Sequence, residues 1–273
     1  MEWNEPFFCQ GSRTGVLVIH GFTGSPHSVH EYGERFAAAG YAVALPLLAG
    51  HGQKPEEMEK TRWTEWTADV EKAYQWLRPM TDRIFATGLS MGGTLALWAA
   101  EQHPEIAGVI PINAALRYPQ ELLMKLAGSL GIPRWMKGVG NDFKKAGEDE
   151  RVFSKMPVRA TRQFALLLAA TRAGLDKIRC PALIFSSKVD HTVPPANQEE
   201  LFRSLRCEEK KLVVLENSYH VATMDYDKEL VFREALGFVQ AHAGEDGSIR
   251  RVPSRVPHAS LPSSPDTLQT ISG

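Results

Sequence analysis

Short apolar runs recur along the chain, and amphipathic stretches separate them. Six of the runs are continuously apolar instead of alternating with polar residues, which is typical of parallel strands covered on both faces. The predicted strands are 16–20, 41–47, 83–90, 107–113, 180–187 and 211–217.

Several of the stretches between these strands carry helical patterns. Apolar residues in 63–77 recur at spacings of three and four, and Gly40, Pro104 and Gly244 stand where helices commonly end. Asp227 fits the N-cap of the last helix. Helices are predicted over 28–40, 63–77, 91–103 and 228–244.

This alternation predicts an α/β fold with a mostly parallel, doubly wound sheet of about six to seven strands and helices on both faces. Sheets of this kind bind ligands at the carboxyl ends of their strands. A length of 273 residues fits one catalytic domain with a large buried core.

The region 114–155 interrupts the rhythm and holds no strand candidate. Its first half is strongly apolar and its second half is charged. A long insertion at the carboxyl end of a strand favours a small helical lid, and a helical pair that fills out the core is the alternative. The core would then comprise 1–113 and 156–243.

The last segment, 244–273, has a different composition. It contains no aromatic residue and is rich in serine and proline. We expect a mobile tail, or a remnant of recombinant expression, and assign it no function.

Charge and composition narrow the possible partners. Lys and Arg total 31 against 32 for Asp and Glu, so the chain gives no indication of binding nucleic acid or an anionic membrane. The opening residues lack a signal-peptide pattern, and no apolar run approaches the ~18 residues of a membrane span, so we expect a cytoplasmic protein without stable membrane insertion. Three scattered cysteines argue against a disulfide framework and a zinc site.

One short motif combines a hydroxyl with small residues. Gly88, Ser90 and Gly92 fit G-x-S-x-G between a predicted strand and a predicted helix. In a nucleophile elbow the serine occupies a strained turn, and the positions beside it must be tiny because strand and helix backbones pass close by. Ser90 is therefore the predicted nucleophile, with a Gly-Ser turn that does no chemistry as the alternative.

A serine needs a base to remove its proton. His220 follows the last predicted strand and precedes the last helix, where a loop reaches the nucleophile, and it is the favoured base. His191 and His242 are rivals that fit a loop residue and a solvated helix end better. His103 ends a helix, and His258 lies in the tail.

The base in turn needs a carboxylate that holds its tautomer. Asp190 lies in the loop after the strand 180–187 and is the favoured acid, with a turn residue before Pro194 as the alternative. Asp225 lies very close to the base in sequence, and Asp227 is better explained as a helix cap.

Acyl transfer also needs backbone donors for the developing oxyanion. In this arrangement they are the amides of Met91, after the nucleophile, and of Phe22, in the loop after the first predicted strand. The Phe22 side chain is then free to line the acyl pocket. His20, His27 and His30 invite a metal interpretation, but they lack a well-spaced carboxylate, so we expect no metal.

The combined motifs resemble the α/β-hydrolase superfamily over residues 1 to about 243. More narrowly, they resemble the bacterial carboxylesterase and monoacylglycerol lipase group, which includes thermostable esterases from bacilli and metagenomic lipolytic enzymes. The segments that carry the resemblance are HGFTGSP, AGHG, GLSMGG, SSKVDHTVP and NSYHV.

The resemblance implies a triad of Ser90, Asp190 and His220, and oxyanion donors at Phe22 and Met91. It also implies a small lid after the sixth strand of the family fold, and no cofactor. The usual opening hairpin is shortened or missing here, because only PFFCQG remains before the first predicted strand, so the number of strands stays open.

We therefore expect a serine hydrolase of short- to medium-chain acyl esters and monoacylglycerols. Phe22, Met91, Trp135 and Met136 are the predicted substrate contacts. A thioesterase, an acyltransferase and a carbon–carbon bond hydrolase are alternatives on the same triad, and a non-catalytic binding protein is the remaining one. The sequence leaves open whether the protein is a monomer or a dimer.

Overall fold

The computed structural model describes residues 4–118 and 120–244, so the prediction for the tail lies outside the described residues beyond Gly244. In chain order the strands are β1 (Phe7–Cys9), β2 (Thr14–Ile19), β3 (Ala42–Leu45), β4 (Arg83–Leu89), β5 (Gly108–Ile112), β6 (Trp135–Lys137), β7 (Lys155–Pro157), β8 (Ala182–Ser187) and β9 (Lys210–Leu215). The helices are α1 (His30–Ala38), α2 (Pro55–Met58), α3 (Trp63–Leu77), α4 (Met91–Gln102), α5 (Glu121–Leu130), α6 (Val158–Arg172), α7 (Ala196–Ser204) and α8 (Lys228–His242).

The main sheet has seven strands in the order β1-β3-β2-β4-β5-β8-β9. Only β1 is antiparallel to its neighbour, and the other described pairings are parallel. The prediction of a mostly parallel α/β sheet is confirmed, and each predicted strand is present within two residues of its predicted ends. The added strand is β1, which forms from the shortened opening segment.

The predicted helices are also present as α1, α3, α4 and α8. Asp227 is the N-cap residue of α8, as predicted. Its carboxylate, however, forms no capping bond. Instead it accepts a hydrogen bond of 2.7 Å from the backbone amide of Asn217, because the preceding loop folds back over it.

The expectation that 114–155 contains no strand was wrong. Strand β6 lies within the insertion and pairs with β7, which begins at the last residue of the insertion, as an antiparallel ribbon of three residues each. Three residues are too few to show an alternating pattern, so the pairing has no signal in the sequence. Helix α5 supplies the helical part of the insertion.

Two apolar clusters sandwich the sheet. One cluster includes buried residues of α3, α4 and α6, and the other includes buried residues of α1 and α8. Continuous apolar strands are thus covered on both faces, as their sequences require. Within the described ranges no helix is long and apolar enough to cross a membrane.

Candidate active site

Ser90 lies in the tight turn that joins β4 to α4. Its backbone has φ 58° and ψ −119°, a conformation that costs energy for any residue with a side chain. A Cβ at Gly92 would lie 2.0 Å from the carbonyl oxygen of Ile19, and a Cβ at Gly88 would lie 2.5 Å from the same atom. Glycine is therefore required at both positions, because the backbone of β2 passes too close to leave room for a side chain.

His220 and Asp190 form a buried pair at the ends of neighbouring strands. His220 lies in the loop after β9, and its Nδ1 is 2.8 Å from Oδ2 of Asp190, in the loop after β8. Their side chains are 4% and 1% exposed. The other carboxylate oxygen of Asp190 accepts hydrogen bonds from the amides of Thr192 and Val193, at 2.8 and 2.7 Å. These bonds fix the direction in which Asp190 faces the imidazole.

Asp225, considered above as an alternative acid, is placed differently. It is buried, and its carboxylate accepts four backbone N–H bonds of 2.8–2.9 Å. The donors are the amides of Lys144, Lys145, Tyr219 and Tyr226. Asp225 thus holds loops together, and its bonds within the described residues do not include His220.

The rival histidines also lie elsewhere. His191 is exposed, and its Nδ1 is 2.8 Å from Oδ1 of Asp142. His242 ends α8, where its Nε2 is 3.2 Å from Oε2 of Glu209. Each of these histidines is thus paired with a carboxylate other than Asp190.

Three carboxylates surround the imidazole of His220. Burial alone would lower the pKa of His220, but the carboxylates of Asp190, Glu150 and Asp142 raise it above its ordinary value. A raised pKa makes His220 a stronger base, and it also means that the ring is protonated, and unable to accept a proton, over a wider acidic range.

We expect the acid limb of the kcat/KM profile to lie above pH ~6.5, the ordinary histidine value. Activity should fall as the pH drops through the raised pKa of His220, because only the neutral ring accepts the serine proton. A neutral p-nitrophenyl ester measured from pH 5 to 9 reports this limb. A midpoint at or below ~6.5 would contradict the electrostatic account.

The loop after β2 presents Phe22 near the serine turn. Nε2 of the buried His20 accepts from the Leu48 amide at 3.2 Å, so its Nδ1 carries the proton and donates to the Gly21 carbonyl at 2.9 Å. Burial lowers the pKa of His20 to about 3, with a further contribution from His51. The neutral ring thus fixes the backbone just before Phe22. His20 belongs to this loop, and no group of three potential metal ligands occurs among the residues that the structure describes.

The two predicted oxyanion amides occupy suitable backbone positions. Met91 is the first residue of α4, where an amide has no acceptor within the helix. Across the described chain, the structure gives the Phe22 amide no hydrogen-bond acceptor either. Backbone amides that are to stabilise an acyl oxyanion must have no other acceptor.

Ser90, His220 and Phe22 line one cavity of about 690 Å³, its open mouth included. Its apolar walls come from the insertion, β7 and α6: Met124, Met136, Val139, Met156 and Phe164. Phe164 stacks on Phe22 with ring centroids 4.8 Å apart. This cavity fits an acyl chain that extends away from the serine.

Two of the four predicted substrate contacts line this cavity. Phe22 and Met136 line the cavity, whereas Met91 is fully buried behind it. Trp135 does not line the cavity. Its indole lies against the cations of Arg134 and Lys155, at 4.9 and 4.3 Å from the ring centroid.

Glu150 is a cavity residue that the sequence did not reveal. It is only 4% exposed, and it comes from the charged half of the insertion. Its Oε2 accepts from the Asn141 amide at 3.3 Å, and the Asn141 side chain accepts from the Glu150 amide at 2.7 Å. Burial raises the pKa of its carboxyl, although His220 partly offsets this. The cavity is therefore lined by a carboxyl group that interacts with His220, in addition to its apolar residues.

The sheet order, and a serine turn between a central strand and its helix, are the features that define the α/β-hydrolases. The chain belongs to the serine aminopeptidase S33 family, whose model matches residues 10–227. It falls in the esterase and lipase group of this superfamily.

The proteins to which this chain is similar are lipases and esterases. The chain is 47% identical over 240 residues to a thermostable monoacylglycerol lipase of Bacillus sp. (strain H-257), covering 88% of this chain and 96% of that one. It is 29% identical to a carboxylesterase of Bacillus subtilis (strain 168), over 86% and 96% of the two chains. A solved structure from a study of the metagenome-derived lipolytic enzymes LipS and LipT is 46% identical, with a TM-score of 0.85 over 89% of this chain and 99% of that one.

Proposed function

We propose that this protein hydrolyses monoacylglycerols and short- to medium-chain carboxylic esters with Ser90, His220 and Asp190 as its triad. The observation that carries the proposal is the buried 2.8 Å contact of His220 with Asp190, on the same cavity as a serine in a strained turn. That the protein is a carboxylic ester hydrolase agrees with its family and its relatives.

In the first half of the reaction, Ser90 Oγ attacks the ester carbonyl while Nε2 of His220 takes the hydroxyl proton. The carbonyl electron pair moves to oxygen, and the amides of Phe22 and Met91 stabilise that oxyanion. The C–O bond to the alcohol then breaks as His220 returns the proton to the leaving oxygen. Water repeats these steps on the acyl-enzyme and releases the acid.

The lining of the cavity offers a substrate two chemically different kinds of contact. Met136, Val139 and Phe164 offer apolar contact to an acyl chain. Glu150 offers an acceptor for hydroxyl groups on the alcohol side of the ester. A monoacylglycerol has both parts, because its glycerol keeps two free hydroxyls. A carboxyl group buried in this position would be a cost without such donors.

We expect Glu150→Gln to lower kcat/KM for a monoacylglycerol about 10- to 100-fold, because a hydrogen bond to a charged group contributes about 1.5–3 kcal/mol. A p-nitrophenyl ester of the same chain length should change less than about threefold, since its alcohol has no hydroxyl donor. Both rates are measured well above the acid limb, so that His220 is neutral in each variant.

Glu148→Gln is the matched control, because Glu148 lies in the same insertion and pairs with Lys145 on the surface. Equal losses on both substrates in Glu150→Gln would contradict the assignment of Glu150 to the alcohol side.

We also propose that residues 114–155 form a lid over this core. Helix α5 exposes Leu122 (81%) and Leu130 (63%) to solvent, and the insertion also reaches the cavity, through Met124 of α5 and through Met136 and Val139. The Thr23 hydroxyl donates to the Val139 carbonyl at 3.0 Å, which links the lid to the loop of Phe22. A small ester is the proposed partner, and a cytoplasmic location stays a prediction.

A chain-length series tests the substrate class. We expect turnover of p-nitrophenyl esters and of 1-monoacylglycerols, with rates that vary with acyl length because of the apolar walls. Turnover of a matched thioester, with none of the esters or monoacylglycerols, would instead favour a thioesterase.

A further inference from the structure

Asp142, in the lid, contacts both of the loops that carry the buried histidine–carboxylate pair. Its Oδ2 accepts from the His191 amide at 2.9 Å and from the His220 amide at 3.4 Å. Its Oδ1 is 2.8 Å from Nδ1 of His191. Its own carbonyl accepts from the Val221 amide at 3.2 Å. One residue therefore bonds to the neighbour of Asp190, to His220 itself and to the residue after it.

We propose that Asp142 is a positioning residue that sets the loop of Asp190 and the loop of His220 in the register at which their side chains meet. The proposal rests on the proposed function of that pair. Asp142 does not touch the reacting atoms, and it acts through the two loops.

The geometry explains why such a link is needed. The two loops leave different strands, β8 and β9, and a 2.8 Å hydrogen bond between their side chains requires their backbones to be fixed within a fraction of an ångström. The carboxylate of Asp142 is a single rigid group that holds backbone amides from both loops. Its side chain is only 13% exposed, so water competes poorly for these bonds.

Asp225 also bonds to the lid and to the loop of His220. Its carboxylate joins the lid amides of Lys144 and Lys145 to the amide of Tyr219, next to His220. It holds the base loop to the lid, but its bonds do not extend to the loop of Asp190. Asp142 thus bonds to both the acid loop and the base loop, and Asp225 supports it on the base side.

Two substitutions separate the bonds of Asp142 from its charge. Asp142→Ala removes every side-chain bond, and we expect kcat to fall about 10- to 100-fold with KM changed less than threefold, because the pair is misplaced rather than the substrate pocket. Asp142→Asn keeps a carbonyl oxygen for the two amides, and its NH₂ can donate to Nδ1 of His191 in the tautomer that carries its proton on Nε2. We expect this variant to retain at least about a third of kcat.

The pH profile adds a readout that lost stability alone would not move. The carboxylates of Asp190, Glu150 and Asp142 all raise the pKa of His220. Asp142→Asn removes one of these charges, so its acid limb should move to lower pH although its kcat is nearly kept. Glu148→Ala is the control, a carboxylate of the same lid that pairs with Lys145, and it should change neither quantity.

Proton NMR of the whole protein provides a test that needs no turnover. The proton that His220 Nδ1 shares with Asp190 gives a strongly downfield resonance, which we expect to be kept in Asp142→Asn and lost or broadened in Asp142→Ala. If Asp142→Ala does not fold, Asp142→Ser takes its place, since its short hydroxyl cannot hold both amides.

The outcomes are distinct. Alanine or serine variants that keep kcat within threefold, with an unchanged downfield proton, would overturn the positioning role. An inactive parent protein whose downfield proton still responds in the expected order would overturn the proposed hydrolysis and support the positioning role.

Discussion

Replacing Ser90 with alanine is expected to lower kcat for any hydrolysed ester on the order of 10⁵-fold or more, because the acyl-enzyme route loses its nucleophile. The residual rate would come from substrate binding and the oxyanion amides alone. Alanine adopts the same strained backbone at this position at similar cost, so the fold and the cavity should be preserved. The kcat for ester hydrolysis measures the lost activity, and the melting temperature of the same preparation shows whether the fold is preserved.

Ser129→Ala is the matched control, since Ser129 is an exposed serine on α5 whose hydroxyl donates to the Lys125 carbonyl. A serine-directed organophosphorus ester should label the parent protein and the control, but not Ser90→Ala. A Ser90→Ala protein that turns over ester within tenfold of the parent would eliminate the proposed mechanism.

The elements around the serine could be predicted because their determinants are local. Gly88 and Gly92 are required because a neighbouring backbone passes 2.0–2.5 Å from where their Cβ atoms would lie. The motif therefore shows this steric constraint directly. The strands on either side are continuously apolar because both faces of the sheet are buried. The local sequence preferences agree with the global fold in these elements, so the fold could be predicted from the sequence.

Glu150 could not be predicted for the opposite reason. It stands in a run of charged residues that reads as a solvated surface, and its burial arises only when the lid folds onto the distant loop at residues 21–24. Asp142 belongs to the same case, because its partners His191 and His220 are 49 and 78 positions away. Long-range closure of a lid leaves no periodic signal in the chain.

Trp135 shows that the sequence does not predict which side chain of a short strand faces the cavity. Its type and its place in an apolar stretch favour a substrate contact, but strand β6 turns its ring toward Arg134 and Lys155 instead. The neighbouring Met136 does line the cavity, as expected from the alternation of side chains along a strand. Which of two adjacent residues faces a cavity depends on the register of β6 against β7, and three-residue strands do not specify that register in sequence.

The second large effect is expected from Asp190→Asn, which should lower kcat about 10⁴-fold. The amides of Thr192 and Val193 both point at Oδ1, so the asparagine must keep its carbonyl oxygen there and turn its NH₂ toward His220. Nδ1 of His220 must then accept a hydrogen bond, which places the ring proton on Nε2. The nitrogen that takes the serine proton is thereby occupied, although no atom has moved appreciably.

This mechanism makes a prediction about tautomers as well as rates. Nitrogen-15 NMR of the imidazole should find the neutral ring of the parent protein protonated at Nδ1, and that of Asp190→Asn protonated at Nε2. Asp176→Asn, which changes an exposed aspartate outside the site, is the control for both measurements. An Asp190→Asn protein with full activity and an Nδ1-protonated ring would show that another carboxylate orients the base. Asp225 is already bonded to four backbone amides, and Asp142 to two amides and the His191 ring, so that carboxylate would have to be Glu150.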